Sequence, residues 1–229
     1  MSRQAEITRK TWETDIFIKL DLDGSGTAEL FYPIGFMAHM LNTFAKHGLF
    51  DLEVRASGDL QVDQHHLVED TGIVLGQCFA KALGDKRGIR RAGCCLYPMD
   101  ETLARAAVDI SGRSFLLFDG QLSGIPLVST PEASRPSEKD FFQTDTVEDF
   151  WEGFSVNAGL TLHLDILKGR SDHHKIEALF KAAARSLREA CEIDGRAAGS
   201  IPSTKGSLGG PSPELKREGF PPDIPGVLA

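Results

Sequence analysis

The sequence has 229 residues, of which 41% are hydrophobic and 25% charged, and its formal net charge at pH 7 is −8. These values are typical of a globular protein with a sizeable core, and the negative charge argues against nucleic acid as a partner. No apolar run approaches the roughly 20 residues of a membrane span, and the N-terminus lacks a signal-peptide stretch. The four cysteines form no Cys-x-x-Cys pair, which favours reduced thiols. The composition therefore predicts a cytoplasmic protein that binds neither nucleic acid nor a membrane.

The first predicted elements are a strand, a turn and a helix. Alternating apolar and polar residues predict a half-buried strand over residues 15–22. The stretch Asp21 to Gly26 is similar to the start of a calcium loop, but Tyr32 stands where such a loop needs glutamate, so we interpret it as a hairpin turn. Apolar residues at helical spacing predict a helix from Ile34 to Lys46. Residues 49–62 are predicted to be strand, with a turn at Ser57-Gly58-Asp59.

The next helix carries the first of two copies of a short pattern. Asp63 is the predicted N-cap, His65-His66-Leu67-Val68-Glu69 forms the first turns, and Gly84 ends the helix. On a helix His65 and Glu69 share one face, because they are four residues apart. His66 points about 100° away from His65. One helix start can therefore hold a metal ion and direct a second imidazole at another ion.

The middle of the chain is less regular. We predict a strand around residues 92–96, a short helix over 100–107, and a strand over 108–118 that is interrupted at 111–113. Residues 119–140 are rich in Ser, Pro and Gly, which predicts a surface insertion.

The second copy of the pattern lies on the last predicted helix. A helix over 146–158 and a strand through 160–166 come first, and His163 lies on the polar face of that strand. Ser171 or Asp172 then caps the last helix, which carries His173-His174-Lys175-Ile176-Glu177 and ends near Gly195.

The duplication carries the functional argument. A single histidine on a helix is more often structural than a ligand, but chance rarely gives two His-His-x-x-Glu copies. They predict two metal sites related by a pseudo-twofold axis. We divide the chain into a first α+β half at 1–96, a second α+β half at 97–206 and a flexible C-terminal tail at 207–229.

Further short stretches resemble one enzyme family, the imidazoleglycerol-phosphate dehydratases of histidine biosynthesis. With the two His-His-x-x-Glu copies they span roughly residues 9–206. The stretches are Glu13-Thr14, Gly35-Phe36, His39-Met40-Leu41, His47-Gly48, Gly58-Asp59, Gly84-Asp85-Lys86, Gly88-Ile89 with Arg91, Pro98-Met99-Asp100-Glu101, Ser111-Gly112-Arg113, Leu162-His163, Phe180-Lys181 and Pro202-Ser203-Thr204-Lys205-Gly206.

The resemblance implies a fold, a reaction and an assembly. The implied fold is a duplicated α+β half-domain with helices sandwiched between two four-stranded sheets. The implied reaction is the metal-dependent dehydration of D-erythro-imidazole glycerol phosphate to imidazole acetol phosphate, through an imidazolate held between two Mn²⁺ ions. The implied assembly is a homo-oligomer of twenty-four subunits with active sites at the subunit interfaces. Histidine-rich sites also suit zinc, nickel or another divalent metal, so manganese depends on the resemblance.

Residue roles follow from the same resemblance. Glu13, Glu69 and Glu177 are the candidate catalytic acids or bases. The candidate metal ligands are His39, His65, His66, Glu69, His163, His173, His174 and Glu177. The candidate substrate contacts are Glu13, His39, His47, His65, Glu69, Arg91, Arg113, His173, Lys181, Ser203 and Lys205, with Arg90 as the alternative to Arg91.

Several positions depart from the family pattern. Ala38, Asn42 and Gln64 stand where aspartates are usual, and Ser171 stands where Asn is common. None of these removes a candidate ligand, but Ala38 deletes a possible partner for a ligating histidine. Two rival functions remain at this point: a hydrolase that uses a metal-bound water, and a protein whose metals only hold an assembly together. The first lacks a His-Glu-x-x-His pattern and the second would not need Arg91, Arg113 and Lys205.

Overall fold

The computed structural model describes residues 3–128, 141–197 and 199–208. The first sheet has the strand order β1-β2-β4-β3. Its strands are Gln4–Lys10 (β1), Thr14–Asp21 (β2), Ala28–Phe31 (β3) and Asp51–Gly58 (β4). All pairs are antiparallel except β3 with β4, which is parallel. Burial alternates along β2. Ile16, Ile18 and Leu20 face the core, and the odd-numbered residues of the strand are more exposed.

The second sheet repeats this arrangement. Its strands are Ala92–Met99 (β5), Thr102–Asp109 (β6), Phe115–Asp119 (β7) and Thr161–Lys168 (β10), in the order β5-β6-β10-β7. Again only the pair at one edge, β7 with β10, is parallel. A separate short pair joins Leu127–Val128 (β8) to Phe141–Phe142 (β9). The two sheets with their helices confirm the duplicated α+β fold that the sequence predicts.

Four helices lie between the sheets. They are Gly35–Gly48 (α1), His65–Leu83 (α2), Thr146–Ala158 (α3) and Asp172–Cys191 (α4). Helix α2 packs on β1, β2 and β4, and α4 packs on β5, β6 and β10. Each of these two helices also packs on the first helix of the other half, α2 on α3 and α4 on α1. Both His-His-x-x-Glu helices are thus fixed between a sheet and the opposite half.

Glycines allow α2 and α3 to approach closely. A Cβ at Gly72 would lie 2.1 Å from the carbonyl oxygen of Phe150, and one at Gly76 would lie 2.5 Å from that of Phe154. Around this contact Trp151 and Phe154 are fully buried. Burying large aromatic side chains is a major source of stability. The close contact fixes the first turns of α2 against α3.

The structure corrects four details of the sequence prediction. The turn at residues 21–26 does not close a hairpin, because β2 and β3 each pair with β4 and not with each other. Residues 100–107 are not a helix: 100–101 form a turn, and 102–107 belong to β6, whose alternate residues face the core and which pairs with β5 and β10. Non-local pairing here outweighs the helix propensity of an alanine-rich stretch. Helix α4 ends at Cys191, four residues before Gly195. Helix α2 has Gln64 at the N-cap, although the Asp63 carboxylate still accepts from the backbone N–H of His65 at 2.8 Å.

The predicted division of the chain and the predicted tail remain predictions. Strand β5 crosses the predicted boundary between residues 96 and 97, and the division of the chain at that point stays a prediction. Residues 129–140 of the predicted insertion and 209–229 of the predicted tail lie outside the described residues. Among the helices described, none is both long and apolar enough to cross a membrane.

Candidate metal and substrate site

Helix α4 begins with a cap that sets its first histidines. The Ser171 hydroxyl accepts from the backbone N–H of His174, the usual role of serine at an N-cap. One turn in, His173 Nε2 lies 3.1 Å from Glu177 Oε2. His39 of α1 reaches the same carboxylate, with its Nε2 3.5 Å from Glu177 Oε2. The packing of α1 on α4 therefore brings a third donor to the helical pair.

The three donor atoms of His39, His173 and Glu177 lie within 4.8 Å of one another. Two imidazoles and one carboxylate form a donor set that suits a divalent transition metal. The edge of the Phe36 ring packs against His173, with ring centroids 5.1 Å apart. This contact limits the rotation of the imidazole.

Glu177 is the buried member of this group. Its side chain is 10% exposed, and its other oxygen, Oε1, accepts from Lys181 Nζ at 2.8 Å. Burial disfavours the charged carboxylate, but Lys181 and His39 outweigh it and hold the pKa of Glu177 below its usual value. Glu177 is therefore an anion that can act as a ligand.

The corresponding group on α2 is more open. His65 Nε2 lies 3.6 Å from Glu69 Oε2, and His65 Nδ1 lies 3.6 Å from Asp149 Oδ2 of α3. The Glu69 side chain is 44% exposed, against 10% for Glu177. Within the described residues, no second histidine of the chain joins His65 and Glu69 as His39 joins the α4 pair.

The second histidine of each copy is held by a carboxylate. His66 Nδ1 lies 3.1 Å from Asp59 Oδ2, and this hydrogen bond raises the pKa of His66. His174 Nδ1 lies 2.9 Å from Glu101 Oε2. The bond to His174 lowers the pKa of Glu101 to about 2, helped by the backbone N–H of Ser171. Both imidazoles keep Nε2 available for a ligand.

His163 stands apart from these groups. It lies half-buried on β10 beside the ring of Phe115, with centroids 6.1 Å apart. In the described part of the chain it belongs neither to the cluster of His39, His173 and Glu177 nor to the second cluster of close donors, Glu13, Asp59 and His66. One chain thus distributes the eight candidate ligands over separate places.

A cationic group lies next to Glu177. Lys181 Nζ is 5.4 Å from the centre of the Tyr97 ring, and the His47 ring packs edge-on against the same tyrosine. Burial, together with the charges of Lys181 and Arg185, lowers the pKa of His47. Tyr97 and Arg185 did not figure among the candidate site residues.

A second cationic group gathers around Arg91. Arg91 has a left-handed backbone (φ 74°), and its guanidinium donates to both oxygens of Asp109, at 2.6 and 3.0 Å. It also donates to the carbonyl oxygen of Pro202 at 2.9 Å. That bond brings the segment with Ser203 and Lys205 to the second sheet. Arg113 is exposed in the loop after β6.

Glu13 lies in the turn between β1 and β2. The Thr11 hydroxyl accepts from the backbone N–H groups of Glu13 and Thr14, at 3.1 and 2.9 Å. The turn borders a depression of about 370 Å³ that is also lined by Trp12, Asp59 and Gln61. His66 lies close by, with Nδ1 3.9 Å from Glu13 Oε2.

The residues that directly precede the two copies anchor a shared connecting segment. Gln64 donates to the carbonyl oxygen of Phe141 and exchanges hydrogen bonds with Gln143. Asp172 accepts from the backbone N–H and the hydroxyl of Ser123, at 2.7 and 2.6 Å. The departure at Gln64 is thus explained by its amide partner Gln143.

Sequence reasoning missed several of these contacts. Asp59 and Glu101 lie within stretches that carry the family resemblance, so their position could have suggested a role. Asp149 and Gln143 gave no signal of their own, because their contacts depend on how distant elements pack. Asp172 was considered only as a helix cap, and its contact with Ser123 was not predicted.

Comparisons with known proteins agree with one another. A family model described as imidazoleglycerol-phosphate dehydratase matches residues 33–187. The imidazoleglycerol-phosphate dehydratase of Methylorubrum populi is 50% identical over 206 residues, which is 90% of this chain and 100% of the relative. That of a Thermoanaerobacter species is 54% identical over the same shares. The crystal structure of the Staphylococcus aureus enzyme has a TM-score of 0.71 and 36% identity, over 83% of this chain and 99% of that chain.

Proposed function

The chain belongs to the imidazoleglycerol-phosphate dehydratase family of hydro-lyases in histidine biosynthesis, and from that premise we propose that two divalent metal ions, Mn²⁺ by resemblance, serve its dehydration reaction. The observation that supports a metal most directly is the convergence of His39, His173 and Glu177 within 4.8 Å. This donor set fits a divalent cation in kind and spacing. The other candidate ligands are His65, His66, Glu69, His163 and His174.

Bound divalent ions would lower the pKa of a coordinated imidazole of the substrate and so favour loss of its proton. The chain's own part is to place acids and bases around the substrate. Glu13 is the candidate for the group that exchanges a proton with the leaving hydroxyl, since it is exposed on the wall of the depression. Glu69 and Glu177 would hold the metals and relay protons.

The phosphate of the substrate needs cationic partners. Lys181 supplies the charge of one group, in which His47 can donate as an uncharged imidazole because its pKa is lowered, and Arg91 with Ser203 and Lys205 forms the other. Arg91 is neutralised in part by Asp109, so its role is to hold the Pro202 segment in place as well as to contribute charge. Arg113, exposed on its loop, is proposed to contact the phosphate in the assembled protein.

The dispersion of the candidate ligands supports an assembled site. His163 lies away from the donor clusters of its own chain. Glu69 and Asp149 lie against different ring nitrogens of His65, so within the chain only His65 and Glu69 can share an ion, fewer donors than a closed site needs. We therefore propose a homo-oligomer in which neighbouring copies complete each site. The number of twenty-four subunits comes from the family resemblance. A cytoplasmic location is proposed with this assembly.

The deciding experiment is turnover of imidazole glycerol phosphate by chelator-stripped protein, before and after Mn²⁺ is added back. We expect activity to return with Mn²⁺, and light scattering to report the large assembly. Full activity of the stripped protein would contradict the metal requirement, and full activity of a stable monomer would contradict the shared site. Inactivity with two metals bound per chain would contradict the catalytic proposal, and Ala38→Asp would then be the first change to test.

A further inference from the structure

We propose that Asp59 is a positioning residue that orients His66 and thereby leaves the neighbouring Glu13 carboxylate free for the substrate. The inference rests on the proposed function, in which His66 is a metal ligand and Glu13 exchanges protons. It explains why two equivalent glutamates, Glu13 and Glu101, have different surroundings.

The two glutamates occupy the same place in the duplicated fold. Each half opens with an antiparallel hairpin, β1–β2 and β5–β6. Glu13 directly precedes the first residue of β2, and Glu101 directly precedes the first residue of β6. Each turn faces the second histidine of its own half, His66 or His174.

In the second half the turn glutamate holds the histidine. Glu101 Oε2 lies 2.9 Å from His174 Nδ1, and Oε1 accepts from the backbone N–H groups of Arg170 and Ser171 at 3.3 and 3.0 Å. Both carboxylate oxygens are therefore engaged. A carboxylate that accepts from Nδ1–H fixes the tautomer in which Nε2 carries the lone pair that binds a metal.

In the first half the carboxylate that accepts from the histidine is Asp59 and not the turn glutamate. Asp59 places its two oxygens 3.1 and 3.3 Å from His66 Nδ1, whereas Glu13 Oε2 stays at 3.9 Å, beyond hydrogen-bond distance. The backbone N–H of Asp59 donates to the carbonyl oxygen of Glu13 at 3.0 Å, which ties Asp59 to the turn. The Asp59 side chain is 16% exposed and that of Glu13 is 54% exposed.

The second half cannot use the same solution. Thr14 pairs with Gly58, and Leu103 pairs with Lys168, so Gly169 lies opposite Thr102 as Gly58 lies opposite Thr14. The place of Asp59 is therefore taken by Arg170, whose side chain is exposed and has no acceptor for an imidazole N–H. In this half the turn glutamate holds His174 instead. Glu101 is thereby committed to a structural role, while Glu13 stays available.

The role of Asp59 is tested by measuring the Mn²⁺ affinity of the full-length, assembled protein. Calorimetry on chelator-stripped samples gives this affinity. Asp59→Ala should lower the affinity by about 10- to 100-fold, as loss of a ligand's hydrogen-bond partner does. Asp59→Asn should lose less, because the amide oxygen can still accept from Nδ1–H. Glu13→Gln should leave Mn²⁺ affinity unchanged while kcat falls by at least about 100-fold. Glu152→Gln, at an exposed position of α3, is the control and should change neither.

A double substitution makes the test specific. Without Asp59, the Glu13 carboxylate is the nearest remaining acceptor for His66, so Glu13→Gln should lower Mn²⁺ affinity in the Asp59→Ala background although it does not in the parent protein. Equal affinities of the parent and Asp59→Ala would overturn the proposal. So would a Glu13→Gln loss in the parent as large as that of Asp59→Ala. If the protein failed to turn over imidazole glycerol phosphate, the affinity cycle would still decide the role of Asp59.

Discussion

The starts of α2 and α4 carry the same five-residue pattern in unequal surroundings. At α4 the hydroxyl of Ser171 caps the helix, Glu177 is nearly buried, and His39 arrives from α1. At α2 the N-cap residue Gln64 has no side-chain cap bond, and Glu69 is 44% exposed. One half has a nearly complete donor group and the other an open one. Duplication thus preserved the pattern while the packing around it diverged.

The two helix starts differ because they contact different side chains. Asp172 and Lys175 form a buried ion pair at 3.1 Å beside the second copy, and the connecting segment closes over them. Beside the first copy, neutral amides do the same work through Gln64 and Gln143. Gln64 and Asp172 are both buried, so the difference is one of charge: breaking a buried ion pair costs more free energy than losing a neutral hydrogen bond. The α4 start should therefore be the more rigid of the two.

The largest expected effect is on turnover. Glu177→Gln removes the anion shared by His39, His173 and Lys181, and should lower kcat by at least about 100-fold, the scale of a lost acid–base group. Steady-state turnover with Mn²⁺ measures it, with Glu152→Gln on α3 as the exposed control. Near-normal turnover with both metals bound would remove Glu177 from the proposed centre.

The next effect is on the stability of the two anchors. Asp172→Ala leaves Lys175 without its buried partner and should lower the free energy of unfolding by about 3 kcal/mol. Gln143→Ala removes one acceptor and should cost only about 1 kcal/mol. Urea titration of both variants compares them directly. Equal losses would contradict the view that the α4 start is the more tightly fixed.

Gly169 gives a smaller, local test of the close packing at the start of α4. Gly169→Ala combines a positive φ with a Cβ that would lie 2.6 Å from Thr102 Oγ1, and should destabilise the protein by about 1–3 kcal/mol. Gly195→Ala is the control, because a Cβ there would meet nothing within 4 Å. Thermal unfolding of the two variants measures the difference. A tolerated Gly169→Ala would mean that this position could have accommodated a side chain.

The smallest expected effect is a pH dependence. The pKa of Glu101 is lowered from 4.5 to about 2 by His174, so the ionised carboxylate stabilises the folded protein above pH 4.5. This contribution is lost as the pH falls through about 2. The gap in unfolding temperature between the parent and Glu101→Gln should therefore shrink from pH 4.5 downward. A gap that stays constant over that range would show that Glu101 acts only through packing.

The helices, strands and helical donor pairs could largely be predicted from the sequence, because their signals are local. The spacing of four residues places His173 with Glu177 and His65 with Glu69, whatever the rest of the chain does. Ser171 as N-cap of α4 and the alternation along β2 and β10 are equally local. The prediction of a helix over 100–107 was wrong. The alanines of this segment favour a helix, but pairing with β5 and β10 stabilises it as strand β6.

The sequence by itself determined the duplicated pattern, the type of donor and, through resemblance, the family and its reaction. Only the tertiary structure decided which distant side chains meet: His39 with Glu177, Asp59 with His66, and Glu101 with His174. It also decided that Glu13 stays free where Glu101 does not. The physical reason is that helix spacing is set by bonds between near neighbours, whereas these contacts depend on how sheets and helices far apart in the chain pack together.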